Sequence, residues 1–188
     1  MITNGLFYPN LKTANLYSAE LCSCIESTVQ KLLNNVTSNK KPGMLLGKIQ
    51  SGKTKTFLGI IGLAFDNNFE VTIILTKGTK ALAQQTFQRI EKEYRTFMTM
   101  DNIQVFDIMN FPDNLTLYEL NQKVIIIAKK ETHNLQRIYD ALFVTYPSLS
   151  TKRILIIVDE ADSANLLLIS LTCVAILFIS TVSSGVLL

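Results

Sequence analysis

The sequence is short of the residues from which metal centres and disulfide frameworks are built. Its one histidine, His133, has no neighbouring ligand set, which excludes a histidine-rich metal site. Its three cysteines, Cys22, Cys24 and Cys173, fall in neither zinc-ligand nor paired spacing. On a helix Cys22 and Cys24 would point to different sides, so they read as packing residues. With no signal-peptide pattern ahead of them, they fit a reducing, cytoplasmic setting. Charge is scarce too: 18% of residues carry one, and the net charge of +3 is too small to point to nucleic acid or a membrane surface. Internal repeats and low-complexity segments are absent. A chain of 188 residues suits one domain with a substantial core.

What is present is one dense motif. Residues 47–54 read GKIQSGKT: Gly47, four residues, then Gly52, Lys53 and Thr54, the phosphate-binding loop pattern. Met44, Leu45 and Leu46 before it make a short apolar run fit for a buried strand, and FLGIIGLAF after it suits a packed helix. Strand, loop and helix are the setting the motif requires. Gly47 and Gly52 let the backbone come close to an anion. Successive N–H groups and the helix N-terminus then face it. Lys53 places an ammonium against the β- and γ-phosphates, and the Thr54 hydroxyl is a ligand for Mg²⁺.

Around the motif the pattern alternates. Residues 14–36 carry apolar side chains at helical spacing, whereas residues 1–13 show no clear period. SNKKPG at 38–43 is a breaker, so a core is expected to begin near Gly43. EVTIILT (70–76), residues 103–108, KVIIIA (123–128) and RILIIV (153–158) read as strands. Residues 79–97 and 132–146 read as helices, with one or two helical turns at 115–120. Strands apolar throughout are covered on both faces, which argues for a parallel sheet in an α/β fold with right-handed connections.

RILIIV runs straight into Asp159, Glu160, Ala161 and Asp162. A buried strand that delivers a carboxylate at its C-terminal end is where a metal-holding aspartate of a phosphate-loop enzyme belongs. Asp159 is the expected Mg²⁺ residue, and Glu160 is placed to orient and activate a water.

GKIQSGKT, TKGTKALAQQ at 76–85 and VDEAD at 158–162 together resemble motifs I, Ia and II of the superfamily 2 helicases. These include the DEAD/DEAH-box enzymes and the motors of restriction and phage-defence systems. The likeness covers residues 43–162, the first of two RecA-like domains in such motors. It implies a RecA-like P-loop fold, a parallel sheet flanked by helices, with an N-terminal helix at 1–42 and an apolar tail at 163–188. It implies ATP and Mg²⁺ as cofactors, held by Gly47, Lys48, Gln50, Ser51, Gly52, Lys53 and Thr54 with Asp159, and Lys53 and Glu160 as catalytic groups. Thr76, Lys77, Gly78 and Thr79 fall where the family touches the nucleic-acid backbone, DNA in preference to RNA, through sequence-independent, salt-sensitive contacts. Lys80, Lys129 and Lys130 could join that face, although charged loops and strand ends are ordinary. A small-molecule kinase is disfavoured by TKGTKALAQQ and Glu160.

Two departures from the family pattern stand out. The motors use a second RecA-like domain or subunit to supply arginine fingers, so an isolated first domain is expected to be incomplete. An inactive truncated remnant, or a partner-binding module that keeps the fold, is the alternative reading. The 26 residues after Asp162 carry no charge. Leaving about ten Leu and Ile side chains in water would forgo roughly 15–30 kcal/mol, more than the roughly 5–15 kcal/mol by which a domain is stable. Burial is therefore expected, and three readings are open. VAILFIST (174–181) is a further strand, the tail is a truncation or frameshift product, or it is a membrane anchor. The anchor is disfavoured by Ser170, Thr172 and the acidic flank.

Overall fold

The computed structural model describes residues 1–37, 41–48, 53–76, 79–159 and 174–182. Among these residues six parallel strands form one sheet: β1 (Gly43–Lys48), β2 (Val71–Thr76), β3 (Ile103–Asp107), β4 (Lys123–Lys129), β5 (Ile154–Asp159) and β6 (Val174–Val182), in the order β1-β6-β5-β2-β4-β3. The helices are α1 (Phe7–Ala14), α2 (Ala19–Asn34), α3 (Lys53–Asp66), α4 (Lys80–Thr99), α5 (Leu117–Asn121) and α6 (Thr132–Tyr139).

Alternation along each strand sorts the core into two layers. Leu155, Ile157, Ile125, Ile127, Leu177 and Ile179 face a layer built on α1 to α4. Ile154, Ile156, Val158, Val124, Ile126 and Ile176 face the opposite layer, which holds α5, α6 and the turns that follow them. Both strand faces are therefore dry, as their unbroken apolar runs predict. The α3 and α4 crossovers lead from β1 to β2 and from β2 to β3 on one face. Those through α5 and α6 return on the other, as right-handed connections require.

Two helical expectations change. The helix read over 14–36 begins later, as α2 at Ala19, and a separate helix, α1, lies in the stretch with no visible period. The break falls at Asn15–Ser18, where Leu16 adopts a left-handed φ of 49°. The Ser18 hydroxyl then caps α2 by accepting from Leu21 N at 3.2 Å. The first amides of α1 are capped from far along the chain: Asp66, the last residue of α3, accepts from Phe7 N at 3.0 Å and Tyr8 N at 2.8 Å. A cap 58 or 59 residues away leaves no local signal. The expected 132–146 helix keeps α-geometry only to Tyr139 and widens into a π-turn over Asp140–Thr145.

The apolar tail supplies a strand. β6 lies between β1 and β5, hydrogen-bonded to both, and Ala175, Ile176, Leu177 and Ile179 are buried. Near its start β6 is tied to the segment just after α2, where the Thr37 hydroxyl accepts from Ile176 N at 2.8 Å. Among the described residues, no helix is long and apolar enough to cross a membrane.

Candidate nucleotide site

In an all-parallel sheet the C-terminal strand ends share one edge, and ligands of such sheets gather there. β1 ends on Gly47 and Lys48, and α3 begins on Lys53 and Thr54, so four residues join strand to helix where the phosphate-loop pattern lies. Gln50, Ser51 and Gly52 belong to that connection and lie outside the described residues, as do Lys77, Gly78 and Glu160.

Strand register measures how close the two halves of the site come. Ile179 of β6 pairs with Leu45 of β1 on one side and with Asp159 of β5 on the other. Leu45 and Asp159 thus stand on one rung, two strand spacings or about 10 Å apart. β1 continues for three residues beyond that rung to Lys48. The start of the loop and the aspartate therefore meet at the same edge. Asp159 is half-buried there. On its other side β5 pairs with β2, with Leu75 opposite Val158, which sets Thr76 beside the Asp159 rung.

The oxygen donors fit a magnesium ion. Mg²⁺ takes oxygen ligands, retains several waters, and is held by one or two carboxylates together with substrate phosphates. Asp159 provides such a carboxylate and Thr54 a hydroxyl. No group of three or more His, Cys, Asp or Glu side chains assembles among the described residues, so nothing there competes as an all-protein metal cage.

The first turn of α3 is held from both sides. Arg89, midway along α4, donates from Nη1 to Thr54 Oγ1 at 3.3 Å. Tyr17, in the α1–α2 turn, donates from its hydroxyl to the Lys55 carbonyl at 3.4 Å. Burial pushes the Tyr17 phenol up to about 12, with a smaller contribution from the negative charge of Glu93, one turn beyond Arg89 on α4. Sequence reasoning missed Arg89, because an arginine on an exposed helical face is most often solvated.

The residues expected at nucleic acid divide. Thr76 is buried, and its hydroxyl donates to the Ala128 carbonyl at 3.4 Å, so that hydroxyl is used within the sheet. Its carbonyl accepts from Lys130 N at 2.8 Å. Thr79 is exposed at the start of α4 and makes no side-chain capping bond. Lys129, next to them on β4, is paired with Glu131 at 2.6 Å. Asn134 on α6 donates to the Lys129 carbonyl at 3.1 Å, while its buried Oδ1 has no hydrogen-bond partner among the described residues.

A family model, type III restriction enzyme, res subunit, matches residues 19–166 of the chain. The chain belongs to this family. The match begins on the first residue of α2 and runs past β5, so it takes in both the phosphate-loop segment and the Asp159 strand. The type III res-subunit domain is a superfamily 2 helicase domain of RecA-like fold, and the six-stranded parallel sheet agrees with it. The family resemblance thus holds across residues 19–166. Domains of this family are helicase-type ATPases that use ATP and Mg²⁺, engage nucleic acid and work with a second domain. No curated protein matches the chain.

Proposed function

We propose that this res-subunit domain binds ATP with Mg²⁺ at the C-terminal edge of its sheet. When completed by a second RecA-like domain, it couples hydrolysis to the handling of DNA. The observation that supports this reading is the shared rung of Leu45 and Asp159, which puts the end of β1 and the end of β5 at one edge of the sheet. In this reading Gly47, Lys48, Gln50, Ser51 and Gly52 wrap the phosphates with backbone amides. Lys53 neutralises the terminal phosphates, Thr54 and Asp159 hold the metal, and Glu160 takes up the proton of the attacking water. Magnesium, when bound, draws charge from the phosphate oxygens. Residues 76–79 touch the nucleic-acid backbone with amides, the Lys77 ammonium and the Thr79 hydroxyl. Arginine fingers come from the second domain or subunit.

A melting experiment tests the site. Saturation with ATP and Mg²⁺ at about a hundred times the dissociation constant is expected to stabilise the fold by about 2.7 kcal/mol, which raises Tm by several degrees at this chain length. Lys53→Ala is expected to abolish most of that rise. No rise in the parent protein, or a full rise in Lys53→Ala, leaves the inactive remnant or partner-binding module as the better reading. Turnover that vanishes in Glu160→Gln excludes that alternative.

A further inference from the structure

The contact between Arg89 and Thr54 has no place in the phosphate chemistry just described, yet it occupies one of the two atoms offered to the metal. We propose that Arg89 is a latch on the metal–nucleotide site: its guanidinium holds the Thr54 hydroxyl and must let go before a divalent cation can bind there. This rests on the nucleotide reading of Thr54.

The geometry sets the two states against each other. Arg89 Nη1 lies 3.3 Å from Thr54 Oγ1. A magnesium ion on the same oxygen would sit about 2 Å from it. Cation and guanidinium nitrogen would then be at most about 5.4 Å apart by the triangle of those two lengths. A guanidinium keeps its charge at every accessible pH, so it cannot relieve the repulsion by losing a proton. It must turn away. Arg89 is exposed.

The placement of α4 supports the assignment independently of that bond. Glu93, one turn along from Arg89, is near enough to Tyr17 to help raise its phenol. Tyr17 in turn donates to the Lys55 carbonyl. Tyr94, also on α4, donates to the Leu58 carbonyl of α3 at 2.7 Å, so α4 lies against the first half of α3. The N-terminus of the same helix starts directly after Thr79, in the segment proposed to meet nucleic acid. Release of Arg89 therefore marks metal loading on the helix that leads to that segment.

Binding of a fluorescent ADP analogue, titrated with Mg²⁺ and again with EDTA, tests the latch in the full chain, Arg89→Ala and Arg89→Lys. With Mg²⁺, Arg89→Ala is expected to bind about three- to tenfold tighter than the parent, the scale of one exposed hydrogen bond to a charged donor. Without metal its affinity should match the parent's, and Arg89→Lys, which keeps the charge, should fall between the two. Equal or weaker binding of Arg89→Ala in Mg²⁺, or the same tightening in EDTA, overturns the latch alone. A parent chain with no metal-dependent binding overturns the nucleotide reading and the latch with it.

Discussion

Three phenols, Tyr8, Tyr17 and Tyr94, make the folded chain sensitive to base. Tyr94 is fully buried and donates to the Leu58 carbonyl at 2.7 Å, and Tyr8 donates to Glu26 at 3.0 Å. Burial is the first cause of an upward shift in all three, and Tyr17 reaches about 12 from an ordinary 10.0. A group whose folded value is raised contributes its full stability below the unfolded value and loses it as pH climbs toward the folded one. Resistance to urea is therefore expected to fall steadily between about pH 10 and 12, and Tyr17→Phe should flatten that fall. Chemical denaturation midpoints measured across this range check it, and a parent curve no steeper than that of Tyr17→Phe would refute it. Lys123 has the opposite sign. Its ammonium, donating to the Phe69 carbonyl at 2.8 Å, is pushed below 10.5 by burial. The unfolded chain then holds more protons just below 10.5, and Lys123 adds stability as pH rises toward that value.

At the scale of elements, α3 organises one whole layer. It is apolar nearly all round because β-strands cover one side and α1 and α2 the other. Two glycines allow those helices to come close. A Cβ on Gly59 would collide with the Ile25 side chain, and one on Gly62 would stand 2.6 Å from Leu11 Cδ1 with Phe7 Cβ and Tyr8 N at 3.5 Å. In the sequence these glycines look like weak points of a helix; in the fold they are contact surfaces. Gly62→Leu is expected to cost about 1–3 kcal/mol through overpacking, a fall in Tm of several degrees for a chain of this size. The same helix carries Thr54 at its start and Asp66 at its end, where Asp66 caps α1. Displacing α1 should thus be visible as lost amide protection at Phe7 and Tyr8.

At the scale of the molecule, β6 joins the site together. Among the described residues β1 reaches the rest of the sheet only through β6, and the two strand spacings between Leu45 and Asp159 are bridged by that one strand. Leu177 is 1% exposed at its centre. Leu177→Asp buries an unpaired carboxylate at a cost of several kcal/mol, enough to use up most of a domain's margin. Circular dichroism is expected to show the loss of a cooperative melt, and nucleotide binding should disappear with it. A cooperative melt near the parent's Tm would show that β6 is dispensable.

The sheet was largely legible because local chemistry writes it. EVTIILT, KVIIIA and RILIIV are β-branched runs with no polar face, and they became β2, β4 and β5 with bounds shifted by a residue or so. The phosphate-loop and acidic patterns could be read in the same local way, from Gly, Lys, Thr and Asp at fixed spacings, and the family match spans both stretches. α1 was not, because its cap comes from Asp66 and its face is only Phe7, Tyr8 and Leu11. The alternatives for the tail could not be separated by composition, because an apolar run has the same hydropathy in a sheet as in a membrane. Nor could Arg89 be picked out, since its partner lies 35 residues away.

By itself, then, the amino-acid order determined the class of fold, the alternation of strands and helices, and the family carrying the two motifs. Those depend on side-chain period and on residue types at short separation. Tertiary structure alone decided that β6 lies between β1 and β5, that Asp66 starts α1, and that Arg89 rests on Thr54. Each of these joins groups that chain separation keeps apart, and only the packing of one core brings them within hydrogen-bond reach.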